Sequence, residues 1–152
     1  MISMPNPDFT IRPARDGDLT DLIELYHHLN HDPDLEPALA GERFAAILAH
    51  PGMTVLIGFA DGRAAATVTL IVVPNLTRKG APYALIENVV THADHRQRGY
   101  AGALIRTAVD QAWSHGCYKV MLLTGSTDPA TLRFYENCGF LQNKTGFQIR
   151  RT

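Results

Sequence analysis

The sequence predicts an α/β or α+β chain, one layer of mixed-direction sheet with helices packed on it. Three observations carry that prediction. Short β-type runs and helical periodicities follow one another in the order βααββ and then βαβαβ. An Asp61-Gly62 dipeptide between two apolar runs is a strong hairpin signal, so those two strands are antiparallel neighbours. The stretch HADHRQRGYAGALIRTAV (92–109) leads from a strand through an Arg-rich loop directly into an apolar-periodic helix.

In chain order, FTIRPA (9–14) reads as the first strand. Asp16 is a candidate N-cap for a helix in which Leu19, Leu22, Ile23, Tyr26 and Leu29 recur at helical spacing. NHDPDLEP (30–37) is a polar loop with two prolines, and GERFAAILAH (41–50) a short second helix. MTVLIGFA (53–60) and RAAATVTLIVVP (63–74) form the hairpin, NLTRKGAPY (75–83) is a basic loop, and ALIENVVT (84–91) the fourth strand. The helix after the Arg-rich loop puts Leu104, Ile105, Ala108, Val109 and Ala112 on one face and stops at His115-Gly116. YKVMLLT (118–124) is continuously apolar, which predicts a strand in the middle of a sheet covered on both faces. Asp128-Pro129, an N-cap followed by proline at the first helical position, opens PATLRFYENC, and Gly139 closes it. A last strand is expected over 146–150.

A chain of 152 residues suits a single domain spanning 1–152. Hydrophobic residues at 45% against 19% charged place it among globular chains, and no apolar run reaches the roughly 20 residues of a membrane span. MISMPNPDFTIRPARDGDL (1–19) lacks the basic-then-apolar plan of a signal peptide. A net charge of −1 gives no global pull toward nucleic acid or a membrane, so an anion site must be local. Cys117 and Cys138 are too few for a disulfide framework and lack metal spacing; two buried thiols in a reducing cytoplasm are expected.

The junction at 96–102 is that local site. A helix start presents unpaired N–H donors and partial positive charge, glycine lets a ligand approach the main chain, and two arginines stand beside it. No G-x-x-x-x-G-K-[ST] and no G-x-G-x-x-G after a strand is present, so neither a P-loop nor a Rossmann dinucleotide site is indicated. Taken alone, the junction reads equally as a phosphate loop or as a solvated basic loop.

Residues 84–140 resemble the GNAT superfamily of acyl-CoA N-acyltransferases, whose loop motif [Q/R]-x-x-G-x-[G/A] is matched by Arg96, Gly99 and Ala101. A second block, GCYKVMLLTGSTDPATLRFYENCGF (116–140), is most similar to glucosamine-6-phosphate N-acetyltransferases, as is the tail ending Gln148-Ile149-Arg150. The resemblance implies a single mixed, mostly antiparallel sheet with helices on both faces, and acetyl-CoA as cosubstrate. It implies that Asn88, Val89, Val90 and Thr91 hold the pantetheine arm. Arg96, Gln97, Arg98, Gly99, Tyr100, Ala101 and Gly102 would then take the pyrophosphate, with Phe134 and Tyr135 beside the cofactor. Tyr135 would assist the leaving CoA thiolate, and strand donors would stabilise the oxyanion as a primary amine attacks directly, with no metal required. Two departures fall near the acceptor: Glu87-Asn88 replaces the Glu-Asp of the amino-sugar enzymes, and GSTDP (125–129) is longer here. A small-molecule amine, an amino sugar or amino-acid-like compound, is the expected acceptor; a protein or peptide acetyltransferase and a non-catalytic acyl-CoA-binding regulatory module are the rival readings. The similar enzymes also imply a homodimer.

Other residues weigh less. Glu87 either accepts a proton from the acceptor ammonium or orients its neighbours. His27 and His31 have zinc-compatible spacing but no third ligand, and His92, Asp94 and His95 suit a polar loop better than a metal. Arg78 and Lys79 are surface charge or a contact for an anionic acceptor. Thiol catalysis by Cys138 is rejected for want of a histidine in its sequence context.

Overall fold

A computed structural model describes residues 8–151, and these fall into two compact units that divide after Leu122. The first contains β1 (Phe9–Pro13), α1 (Leu19–His27), α2 (Pro37–Ala49), β2 (Met53–Ala60), β3 (Arg63–Val73), β4 (Tyr83–Thr91), α3 (Tyr100–Ser114) and β5 (Val120–Leu122). One five-stranded sheet runs in the order β1-β2-β3-β4-β5. The first three pairings are antiparallel and β4–β5 is parallel, because α3 carries the chain back across the sheet between them. Asp61 (φ 52°) and Gly62 (φ 77°) both adopt the left-handed backbone that a tight hairpin demands, as their sequence predicts.

The middle of the sheet is β2 and β3, buried along most of their length on both faces. On one face Val55, Ile57, Phe59 and Val90 pack with Leu22 and Leu25 of α1 and Phe44 of α2. On the other lies α3, whose Leu104 and Ile105 are fully buried. Gly58 keeps that second face open at one point: a Cβ there would stand 2.3 Å from the Phe9 ring and 3.5 Å from Leu104. Phe9 fills the space and stacks on Tyr100, the first residue of α3, with centroids 4.2 Å apart and planes 8° from parallel.

Several expectations are corrected. The N-cap position of the first helix is Asp18 rather than Asp16, and its side chain makes no cap hydrogen bond; the carboxylate instead accepts from Arg12 (2.7 and 3.0 Å) and from the Arg15 N–H (2.8 Å). Leu25 takes the core position, while Leu29 lies beyond the helix and is exposed. The second helix starts earlier, at Pro37, where a missing N–H costs nothing. The fifth strand is only three residues long and stands at the edge of the sheet, half-buried; Tyr118 and Leu123 are exposed. Its apolar run is therefore not the sheet's centre, a place taken by β2 and β3. Among the described residues no helix is long and apolar enough to cross a membrane.

The second unit contains α4 (Pro129–Asn137), capped as expected by Asp128, whose carboxylate accepts the Ala130 N–H at 2.9 Å. Gly139 follows it with φ 100°. The strand expected over 146–150 is not formed: residues 140–151 carry no regular structure, and Phe147 and Ile149 are more than nine-tenths exposed. A strand needs a neighbouring ladder to satisfy its backbone, and alternating apolar side chains cannot supply one.

Candidate functional site

The pairing of β4 changes character half-way along. From Tyr83 to Glu87 it matches β3 residue for residue, and Ala84–Ile86 also pair with β5. Then Thr69 lies opposite Glu87 while Thr67 lies opposite Val90, so Asn88 and Val89 together face Val68 alone. That is a β-bulge, which withdraws backbone groups from the ladder. Asn88 makes it feasible, since its left-handed φ of 53° is one that asparagine tolerates better than most residues. Glu87 and Asn88 are consequently both exposed, and from Glu87 onward β4 has no ladder partner on its β5 side. Beneath this point Tyr26 of α1 hydrogen-bonds Thr69, the register partner of Glu87, and burial raises its phenol pKa.

Beyond β4 the chain makes a single helical turn over Ala93–His95 and then the loop of 96–99. Gln97 (φ 62°) and Gly99 (φ 81°) are both left-handed, a conformation that turns neighbouring N–H groups inward as an anion-binding concavity. Gly99 is the N-cap of α3 and supplies no side-chain cap, so the N–H groups of Tyr100, Ala101 and Gly102 begin the helix without intrahelical acceptors. Ala103 makes the first bond of the ladder, to the Gly99 carbonyl at 3.0 Å. Arg96 and Arg98 are exposed and form no ion pair among the described residues. Tyr100, an expected cofactor contact, is buried with only 3% exposure; its ring anchors the loop to Phe9, leaving its backbone to face a ligand.

In the second unit, Tyr135 lies near the end of α4 in contact with Phe134 (5.1 Å between centroids) and edge-on to Phe140 (6.4 Å). Burial, then the neighbouring Cys138, pushes its phenol pKa up, so it keeps its proton at neutral pH. Cys138 is half-buried rather than buried; Cys117 is buried, and burial raises its thiol.

The remaining candidates are not gathered into a site. His27 pairs with Asp34, while His31 is exposed. Among the described residues, no group of three or more His, Cys, Asp or Glu side chains is arranged to hold a metal. Arg78 and Lys79 sit in a left-handed turn (φ 53° and 59°), with Arg78 over the Tyr118 ring at 5.5 Å. Sequence reading missed the bulge, the Tyr26–Thr69 hydrogen bond beneath it and the Phe9–Tyr100 stack. Only the αL-tolerant Asn88, in the middle of a strand, hinted at the bulge.

The acetyltransferase (GNAT) family matches residues 19–140. A glucosamine 6-phosphate N-acetyltransferase of Trypanosoma brucei brucei is 31% identical over 135 residues, which is 88% of this chain and 89% of the relative. Among solved structures, a chain from Agrobacterium tumefaciens str. C58 assigned as an acetyltransferase superposes with a TM-score of 0.91 at 55% identity, covering 93% of this chain and 99% of that one. A transcriptional regulator from Bacillus halodurans C-125 superposes with a TM-score of 0.83 at 28% identity, covering 94% and 99%.

Proposed function

This chain belongs to the GNAT acetyltransferase family, which uses acetyl-CoA, and from that premise we propose that it acetylates the primary amine of a small molecule of the amino-sugar class. The observation that carries the proposal is the pairing of a bulged, one-edge-open β4 with an uncapped, glycine-started α3. The residues present fit acetyl-CoA. The open edge of Asn88–Thr91 suits an extended pantetheine arm, which can add to a strand by main-chain hydrogen bonds. The left-handed loop of 96–99, its two arginines and the first N–H groups of α3 suit a pyrophosphate. Family membership runs through both units, which supports treating 1–152 as one acyltransferase domain.

Acetyl-CoA supplies an acyl group already activated on a thiol. The protein's own residues do the rest. Backbone donors released by the bulge stabilise charge developing on the acyl oxygen. Glu87, exposed at the bulge and without an ion pair among the described residues, accepts the proton that an ammonium acceptor must lose before it is nucleophilic. Tyr135 keeps its proton at neutral pH and donates to the departing thiolate. The acceptor class is supported by the 31% identical relative, named for glucosamine 6-phosphate.

A homodimer in a reducing cytoplasm completes the proposal. The tail supports the first part: Leu141, Phe147 and Ile149 are largely exposed on a segment with no regular structure. The sparse cysteine usage, two residues in 152, supports the second. The test is an acceptor screen following CoA release, with amino-sugar phosphates, amino acids, polyamines and peptides as acceptors. Turnover on an amino-sugar phosphate is expected. Peptide-only turnover overturns the acceptor class, and tight acetyl-CoA binding without any turnover favours a role like that of the 28% identical regulator.

A further inference from the structure

Three imidazoles and two aromatic rings form a continuous file beside the anion loop. His28 and His92 lie 4.0 Å apart, His92 and His95 5.6 Å, His95 and Tyr100 6.1 Å, and Tyr100 stacks on Phe9. His28 ends α1, whereas His92 and His95 flank the turn that delivers the chain to Arg96. Two hydrogen bonds tie that turn to the rings. The Ala93 N–H donates to His28 Nδ1 at 3.3 Å, and the Asp94 N–H donates to His92 Nδ1 at 3.1 Å. Below them, the His92 N–H is held by the Ala65 carbonyl at 2.8 Å, and the His95 N–H donates to the His92 carbonyl at 2.9 Å.

Each of those Nδ1 atoms is an acceptor only while it carries no proton. We propose that His28 and His92 are positioning residues: as neutral acceptors they hold the 93–95 turn, and through it the loop of 96–102, in the shape that binds acetyl-CoA. A proton at either Nδ1 would set donor against donor. It would also find other partners. Glu24 of α1 places Oε1 3.5 Å from His92 Nε2, and Asp94 places Oδ2 3.8 Å from His92 Nδ1. A charged His92 would keep Glu24 and Asp94 within reach where they stand, while the Asp94 N–H would lose its acceptor. Arg96 opposes charge on His28, as does His92 itself, while Glu24 and Asp94 favour it. His95 meets His92 edge-on, with a buried Nδ1 that has no hydrogen-bond partner among the described residues. The turn as it stands is thus one that only unprotonated Nδ1 atoms can hold. Burial first, then His92 and Arg96, lower the His28 pKa from its ordinary value, in keeping with a ring held neutral.

The proposal rests on reading 96–102 as the cofactor loop, and the experiment separates the two. Acetyl-CoA affinity is measured by calorimetry from about pH 8 to about pH 5, the lower end reaching well below the ordinary imidazole range because the His28 pKa is lowered. The proteins are wild type, the double variant His28→Asn/His92→Asn, and His28→Ala/His92→Ala. Asparagine places an amide oxygen near the position of Nδ1, so it accepts the same N–H groups but cannot gain the proton. Wild type is expected to weaken by about tenfold across the range, the effect of losing two modest hydrogen bonds. The Asn variant should hold its affinity, and the Ala variant should be about tenfold weaker even at the alkaline end. Ionisation of the ligand is common to all three and cancels in their ratios. An Asn variant that weakens in parallel with wild type, or an Ala variant that matches wild type at the alkaline end, overturns the positioning role. If wild type fails to bind acetyl-CoA at the alkaline end, the cofactor reading itself is overturned.

Discussion

The helices that precede and follow β5 in the chain begin in opposite ways. α4 starts on Asp128, whose carboxylate accepts the Ala130 N–H, with Pro129 removing a second orphan donor. α3 starts on a left-handed glycine with no side-chain cap. The difference follows from what else holds each helix. α4 has no fully buried residue, whereas α3 buries Leu104, Ile105, Ala108 and Ala112 against the sheet. A cap is worth about 1 kcal/mol. A single buried leucine or isoleucine contributes roughly 1.5–3 kcal/mol. A helix secured by packing can leave its first donors open to a ligand; one secured weakly must satisfy them itself. In the proposed function the contributions are reversed to match: α3 would offer main chain at its start, and α4 a side chain, Tyr135, near its end.

The largest expected effect comes from closing the open start. Gly99→Val puts a β-branched side chain at φ 81° and into the approach to the backbone, and acetyl-CoA affinity should fall by at least about a hundredfold. The ligand-free melting temperature should drop only modestly, because packing rather than capping secures α3. Affinity equal to wild type in a titration would remove the loop from the cofactor site. Next is Tyr135→Phe, which removes the hydroxyl and keeps the ring. Turnover should fall by about 10²-fold, the low end for a proton donor, with the acetyl-CoA dissociation constant nearly unchanged. Undiminished turnover would reduce Tyr135 to a packing residue.

Asp128→Ala tests the other side of the comparison. It should cost about 1 kcal/mol, visible as faster amide exchange in α4, while acetyl-CoA affinity holds. Slow exchange in that variant would mean α4 does not depend on its cap. The smallest effect concerns a third helix start, that of α1. The hydrogen bond from Arg12 holds the Asp18 carboxyl below its ordinary value, with burial working against it. The folded state therefore binds fewer protons than the unfolded chain near pH 4, so this stability is present above the unfolded value and lost as pH falls through the lower folded one. Asp18→Asn should flatten that part of the acid-unfolding curve; an unchanged curve would show that the pair contributes nothing.

Much of this was legible along the chain. Asp61-Gly62, Gly116, Gly139 and Asp128-Pro129 punctuate the elements where the sequence places them, because a turn or a cap is decided by a few adjacent residues. The match of Arg96, Gly99 and Ala101 to the family's loop motif was likewise local. The Asp16 cap, by contrast, failed because the helix starts only at Leu19, after a turn tied by the Asp18 carboxylate to the Arg15 N–H and to Arg12 on the preceding strand.

The sequence by itself determined the kind of every helix and strand that the described residues form, most of the turns between them, and the resemblance that identifies the family. Tertiary structure alone decided the rest. The bulge at Asn88-Val89 exists only as a mismatch of count between two strands, so neither strand encodes it separately. The apolar run at 118–124 was ambiguous because burial depends on what lies alongside; the sheet order put it at an edge and gave the centre to β2 and β3. The missing strand over 146–150 has the same cause, since a ladder requires a partner as well as a pattern. His28 meets the Ala93 N–H from 65 positions away, and only the packing of α1 against the sheet brings that ring to the turn before the loop.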